Sequence, residues 1–90
     1  MAEWKQGMLV RAERGREKGR LLCVVGQAEN RVLLCDGKER PLSRPKAKNP
    51  KHLTVIGHVL SERQMQSNRA LKQALKDFSE AIAYVKAGHD

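Results

Sequence analysis

The first 56 residues alternate short apolar runs with residues that favour turns. Runs of this length, bounded by Gly, Pro, Asn and Asp, are typical of β-strands. The predicted strands are GMLVRAER (7–14), LLCVVG (21–26), RVLLC (31–35), KERPL (38–42) and HLTVIG (52–57). Met8 and Val10 share one face of the first strand, since side chains alternate along a strand. Five short strands with turns every 6–14 residues favour a small bent barrel over an open sheet.

Turn-forming dipeptides divide these strands. GQAEN (26–30) predicts a hairpin turn between the second and third strands, and Asp36-Gly37 predicts the next turn. Pro41 marks the fourth strand as an edge strand or as the end of one, because proline donates no hydrogen bond to a ladder. The stretch SRPKAKNPK (43–51) contains two of the three prolines and is predicted to be an extended loop.

The pattern changes near residue 57. From Leu60 onward there is no glycine or proline until Gly88, and the spacing of apolar residues predicts an amphipathic helix. The apolar stripe consists of Leu71, Ala74, Leu75, Phe78, Ala81, Ile82 and Val85. We therefore divide the chain into a barrel at residues 1–57 and a C-terminal helical extension at residues 58–90.

The ends of the helical region carry capping residues. Ser67 or Asn68 is the expected N-cap, and Gly88 is expected just past the C-terminus. Ser61 and Gln64 have capping-box spacing, so the region holds one helix with a break or two helices. The apolar stripe either packs on the barrel or contacts a partner, which includes a second copy of the chain.

The two cysteines, Cys23 and Cys35, lie in apolar strands and have no CxxC spacing. They are predicted to be free thiols in the core. A hairpin centred on Ala28-Glu29 places Cys23 opposite Leu34, which sends the two thiols to opposite faces of the sheet. A one-residue bulge would be needed to bring them together.

The chain has 18 Lys and Arg against 10 Asp and Glu, a net charge of +8 that is unevenly placed. Residues 1–56 carry +7 and residues 57–90 carry +1. Within the first part, residues 11–20 carry +3 and residues 38–51 carry +5, while the other residues together carry −1. Positive charge concentrated in two loops indicates a polyanionic partner, most often nucleic acid. The carboxylates Glu13, Glu17, Glu29, Asp36 and Glu39 lie beside basic residues and are interpreted as their solvated partners.

No catalytic constellation is present in the sequence. A phosphate-binding P-loop has four residues between its glycines and then Lys-Ser/Thr, whereas three residues separate Gly15 from Gly19 and Arg20-Leu21 follows. The three histidines have no zinc-ligand spacing, so neither a metal nor a cofactor is expected. Aromatic residues make up 3% of the chain, too few for binding by base stacking. We expect a non-enzymatic protein that binds through backbone electrostatics.

The N-terminal stretch has no signal-peptide pattern and no apolar run is long enough to span a bilayer. A cytoplasmic protein without membrane contact is therefore expected.

The stretch Gly7-Met8-Leu9-Val10, followed by the loop GREKGR at 15–20 and the apolar run 22–25, resembles the KOW motif. Two further stretches agree with it, namely VLLCDG (32–37) and the lysine-rich PKAKNPKHL (45–53). Residues 7–56 are similar to small bacterial KOW-domain RNA-binding proteins, relatives of the KOW-bearing large-subunit ribosomal proteins of archaea and eukaryotes. The sequence departs from the pattern in having Ala12 where Ser is frequent and Arg14 before the first glycine.

The resemblance implies a mainly β fold, an SH3-like barrel that binds structured RNA, with ribosomal RNA as the expected partner. It implies that Gly15 and Gly19 shape the loop and that the basic side chains around them face phosphate. Together with the charged loop at 38–51, the expected RNA contacts are Arg14, Arg16, Lys18, Arg20, Arg44, Lys46, Lys48, Lys51 and His52. The C-terminal helix lies outside the motif, so the resemblance implies no function for it.

Two other functions stay open on the sequence. One is a protein-interaction adaptor of the ribosome or the transcription machinery that uses the barrel and the C-terminal helix. The other is a duplex-DNA-binding domain, although the one predicted helix is nearly neutral and lacks the features of a recognition helix.

Overall fold

Five strands form one antiparallel sheet, in the order β4-β3-β2-β1-β5, and a single α-helix follows them. The computed structural model of the protein describes the backbone of residues 3–86 and the side chains of residues 3–83. The strands are β1 (Met8–Ala12), β2 (Leu21–Ala28), β3 (Arg31–Cys35), β4 (Lys46–Lys48) and β5 (Leu53–Val59), and the helix is α1 (Asn68–Lys86). The mainly β fold with a C-terminal helix is confirmed. β5 continues two residues past the boundary expected at residue 57.

The sheet carries apolar side chains on both faces and bends around one of them as a small barrel. The side chains on the concave face form an inner cluster of Val10, Ala12, Leu22, Val24, Val32 and Leu34, all fully buried. Met8 packs against this cluster, which confirms that Met8 and Val10 share a face. Leu9, Cys23 and Cys35 point the other way and form an outer cluster with Leu60, Leu71, Ala74 and Leu75. β1 and β2 are therefore covered on both sides.

The fourth strand is not at residues 38–42, as expected, but at Lys46–Lys48 within the predicted loop. Residues 36–40 form a turn that uses their own backbone groups. The Oδ1 atom of Asp36 accepts hydrogen bonds from the amides of Lys38 and Arg40, and the Arg40 carbonyl accepts from the amides of Asp36 and Gly37. Because these groups are already bonded and Pro41 has no N–H, the segment does not extend the ladder.

The register between β2 and β3 also differs from the expected one. The turn residues are Glu29 and Asn30, one residue later than predicted, and a bulge lies between Val24 and Gly26. Cys23 is therefore directly opposite Cys35, on the same face of the sheet. Both cysteines are free and fully buried in the outer cluster, as predicted. The prediction that they face opposite sides is wrong, because the shifted turn and the bulge together change the pairing by one residue.

The helical region is one 3₁₀ turn, Arg63–Met65, followed by α1. The predicted capping box is confirmed, since Ser61 N–H donates to Gln64 Oε1 at 2.9 Å and Gln64 N–H donates to Ser61 Oγ at 3.3 Å. Ser67 is the N-cap of α1, because its Oγ accepts a hydrogen bond from the amide of Ala70 at 3.1 Å. The predicted end at Gly88 lies outside the described residues.

The first half of α1 packs on the sheet. Leu71, Ala74 and Leu75 are buried in the outer cluster, and Phe78 packs against it with its ring 4.7 Å from that of His58 on β5. Ile82 is half-buried and Ala81 is exposed. The side chain of Val85 lies outside the described part. Within residues 3–86, no helix is both long and apolar enough to cross a membrane.

Candidate nucleic-acid interface

Residues 13–20, here called the motif loop, connect β1 to β2. The loop is closed by hydrogen bonds between Ala12 and the far end of the loop: Gly19 N–H donates to the Ala12 carbonyl at 2.7 Å, and Ala12 N–H donates to the Arg20 carbonyl at 3.1 Å. Gly15 and Gly19 each have φ of +84°, in the left-handed region that favours glycine. Both glycines are thus needed to shape the loop.

The interior of the motif loop is two successive turns rather than an extended strand. Lys18 N–H donates to the Gly15 carbonyl at 3.1 Å and Arg20 N–H donates to the Glu17 carbonyl at 2.8 Å. Residues 16–20 are therefore not in extended geometry. The side chain of Glu17 points into the protein.

Glu17 is buried, which corrects its interpretation as a solvated carboxylate. Its side chain is 6% exposed and accepts hydrogen bonds from Arg40, from Nη2 at 2.6 Å and from Nε at 3.1 Å. The ammonium of Lys48 lies 3.4 Å from its other oxygen. The hydrogen bond from Arg40 holds the pKa of the Glu17 carboxyl below its ordinary value of 4.5, against the opposing effect of burial.

This carboxylate joins the motif loop to residues 38–51, here called the second loop. Arg40 and Lys48 both belong to the second loop, and Lys48 Nζ also donates to the Arg14 carbonyl at 2.7 Å. Directly after the second loop, the His52 carbonyl accepts a hydrogen bond from Glu13 N–H at 2.8 Å. The two basic segments that are far apart in sequence thus form one surface with fixed geometry.

Most of the sequence-predicted contact residues lie on this surface with their charges available. Six are exposed and have no carboxylate partner among the described residues, namely Arg14, Arg16, Lys18, Arg44, Lys46 and Lys51. Arg20 is exposed but forms a salt bridge with Glu39, whose hydrogen bond raises the pKa of the guanidinium. His52 is half-buried.

Lys48 differs from the other eight predicted residues. It is buried, with its ammonium bound between Glu17 and the Arg14 carbonyl, so it holds the loops together from within. The sequence reasoning missed Arg40, which makes the strongest contact to Glu17. Glu17 lies in the stretch GREKGR that resembles the KOW motif, but nothing in the sequence singled out Arg40.

Burial and hydrogen bonds determine the properties of the two thiols and of Glu13. Burial raises the pKa of the Cys23 thiol to about 12 and that of the Cys35 thiol to about 11, so neither is a nucleophile near neutral pH. Glu13 accepts hydrogen bonds from Thr54 and Arg11, which lower the pKa of its carboxyl. Among the residues that the structure describes, no group of His, Cys, Asp and Glu is placed to hold a metal ion.

No family model matches the chain, and a search of curated proteins finds no match. The resemblance to KOW proteins thus rests on the motif residues alone.

Proposed function

We propose that the protein is a non-enzymatic, cytoplasmic RNA-binding protein whose motif loop and second loop grip the backbone of structured RNA, with ribosomal RNA as the natural target. The observation that carries this proposal is the buried Glu17, which binds Arg40 and Lys48 and so fixes two basic loops as one surface. These two loops carry six exposed cations without carboxylate partners in the described chain. Phosphate groups are the complementary partner for such a surface.

Salt dependence tests the electrostatic part of the proposal. Neutralising four to six phosphates gives a slope of log K against log salt of roughly −3 to −5, because each contact releases condensed counterions. Binding to a structured RNA hairpin is measured by fluorescence anisotropy between about 50 and 200 mM salt. Affinity that does not change over this range contradicts the proposal.

Single substitutions with matched controls locate the surface. Lys18→Ala and Arg16→Ala are each expected to reduce the salt slope by about 1 and to weaken binding equally across RNA sequences, because phosphate contacts position without specifying. Lys5→Ala and Arg63→Ala are the controls. Both are exposed and lie towards the Gly7 end of β1, where Gly7 hydrogen-bonds Val24 and Leu60, away from the motif loop. Equal losses in controls and test variants would refute this surface as the binding site.

The adaptor function has one observation in its favour. Val55 and Val59 on the edge strand β5 are 47% and 56% exposed, large values for valine. A pull-down treated with nuclease separates the two functions. An adaptor keeps its protein partner after the treatment, whereas an RNA-binding protein loses the proteins that are associated with it through RNA. Retention of ribosomal or transcription proteins after nuclease treatment would favour the adaptor.

A further inference from the structure

A groove lies between the motif loop, the turn after β3 and the helix α1. It has a volume of about 360 Å³ and is lined by Gly19, Arg20, Leu21, Asp36, Lys38, Lys72, Leu75, Lys76 and Ser79. The groove is shallow and largely open to solvent. Its volume is near the lower end of small-ligand sites, about 300–1,000 Å³, so it admits one nucleotide and not an RNA helix.

The lining of the groove combines apolar and cationic groups. Leu21 is half-buried and supplies the apolar surface for the face of a base, whereas Leu75 is buried in the outer cluster. Three lysines, Lys38, Lys72 and Lys76, stand around the groove and have no carboxylate partner among the described residues. Two of them come from successive turns of α1, since residues four apart lie on the same face of a helix.

The carboxylate of Asp36 lies among these cations and is held in place by hydrogen bonds. The Oδ1 atom of Asp36 already accepts the amides of Lys38 and Arg40 at 2.8 and 2.9 Å. Asp36 thereby holds the turn that presents Lys38. The other carboxylate nearby, Glu39, is paired with Arg20. Three lysines thus face the single carboxylate of Asp36, and the net charge of the groove is positive.

The groove is formed before any ligand arrives, because the turn after β3 is held against the start of α1. A Cβ atom at Gly37 would lie 2.3 Å from the Asn68 carbonyl oxygen, so the two backbones are in direct contact. The side chain of Asn68 also accepts a hydrogen bond from the amide of Leu42 at 2.7 Å. The two walls of the groove are thus fixed relative to each other.

We infer that this groove binds one unpaired nucleotide of the RNA, with its base against Leu21 and its phosphates facing Lys38, Lys72 and Lys76. The inference rests on the proposed function. Gly19 and Arg20 belong both to the motif loop and to the groove, so an RNA backbone on the motif loop reaches the groove without a break. The groove therefore binds a bulged or looped-out nucleotide next to the helical RNA segment that the two loops contact.

The test compares two RNA hairpins that differ only in a single bulged 2-aminopurine. Wild-type protein is expected to bind the bulged hairpin about fivefold more tightly, at the low end of what base contacts with side chains give. The bulged base should also become less accessible to quenching by acrylamide. The double variant Lys72→Glu/Lys76→Glu is expected to bind both hairpins with equal affinity and to leave the base open to the quencher.

The control variant is Lys5→Glu/Arg63→Glu, which changes the net charge by the same amount towards the other end of β1 and should keep the preference. Circular dichroism checks that both variants fold. No preference in the wild type, or a preference that survives in the groove variant, overturns this inference and leaves the proposed function intact if binding still weakens with salt. No binding of either hairpin by the wild type overturns both.

Discussion

Glu17 is buried and binds two cationic side chains. Its substitution therefore measures what the carboxylate contributes to the stability of the protein. Glu17→Gln keeps the size of the side chain but leaves Arg40 and Lys48 facing a neutral amide in a site from which water is largely excluded. We expect the free energy of unfolding to fall by about 1–3 kcal/mol, the usual cost of an unsatisfied buried partner. Urea denaturation measures it. Glu80→Gln, at an exposed position of α1, is the control and should change the free energy by less than about 0.5 kcal/mol.

The same carboxylate makes stability depend on pH. Its pKa in the folded protein is below the ordinary value of 4.5, so between these two values the unfolded chain binds more protons than the folded one. The stabilisation is therefore complete above pH 4.5 and is lost as the pH falls through the folded-state pKa. The urea midpoint of the wild type should decrease on acidification more steeply than that of Glu17→Gln. Parallel curves would show that Glu17 does not contribute to acid sensitivity.

Gly37 and Gly19 have nearly the same φ angle but different neighbouring atoms. Their φ angles are +79° and +84°, yet a Cβ at Gly37 meets the backbone of Asn68 and Lys72, whereas one at Gly19 meets nothing within 4 Å. Gly19→Ala should cost only the conformational strain, about 1–2 kcal/mol. Gly37→Ala should cost that strain plus the displacement of α1, about 1–3 kcal/mol more. Equal losses in thermal denaturation would contradict the close contact between turn and helix.

At the scale of elements, the junction between α1 and the sheet depends on the first half of the helix. Leu71 is fully buried in the outer cluster, so Leu71→Ala should lower the free energy of unfolding by about 2–5 kcal/mol through lost contacts and a cavity. Ile82 is half-buried, and Ile82→Ala should cost about 1 kcal/mol. Chemical denaturation of both variants gives the comparison. A larger loss of stability for Ile82→Ala than for Leu71→Ala would contradict the conclusion that the first half of α1 makes the main contact with the sheet.

The elements that the sequence predicted well are those with a local signal. The turn dipeptide at 36–37, the stripe of α1 and the caps at Ser61 and Ser67 are each determined by neighbours within four residues. The fourth strand was misplaced because residues 38–42 are committed to a turn by Asp36, while Lys46–Lys48 pairs with β3 without any apolar alternation. The bulge near Val25 had no local signal either, because it is a property of the pairing between β2 and β3.

At the scale of the whole molecule, the two thiols report on the integrity of the fold. Cys23 and Cys35 lie opposite each other between sheet and helix, both without exposed surface, and burial raises the pKa of each thiol. Native protein should react with a thiol reagent such as Ellman's at the rate of unfolding, with both thiols modified together. Adding urea should increase the rate in step with the unfolded fraction. Rapid labelling of one thiol in native buffer would contradict this arrangement.

The candidate interface could be predicted in part, because net charge and motif spacing are properties of the sequence. Six of the predicted residues are exposed cations on the two loops, and their role in binding stays a prediction. Nothing in the sequence indicated that Lys48 turns inward or that Arg40 binds Glu17, since both depend on the fold bringing residues 17, 40 and 48 together. The groove beside α1 was missed for the same reason, as its cations come from three separate segments.

The Glu17 ion pairs also have a consequence for the heat and entropy of binding. Because the motif loop and the second loop are ordered by contacts within the protein, the entropy loss of ordering them is part of folding and not of association. Titration calorimetry should therefore show a small change in heat capacity on RNA binding, without the large negative value that accompanies folding of a disordered segment. A chain with Glu17→Gln would have to order its loops at the moment of contact, and its binding entropy would be less favourable than that of the wild type.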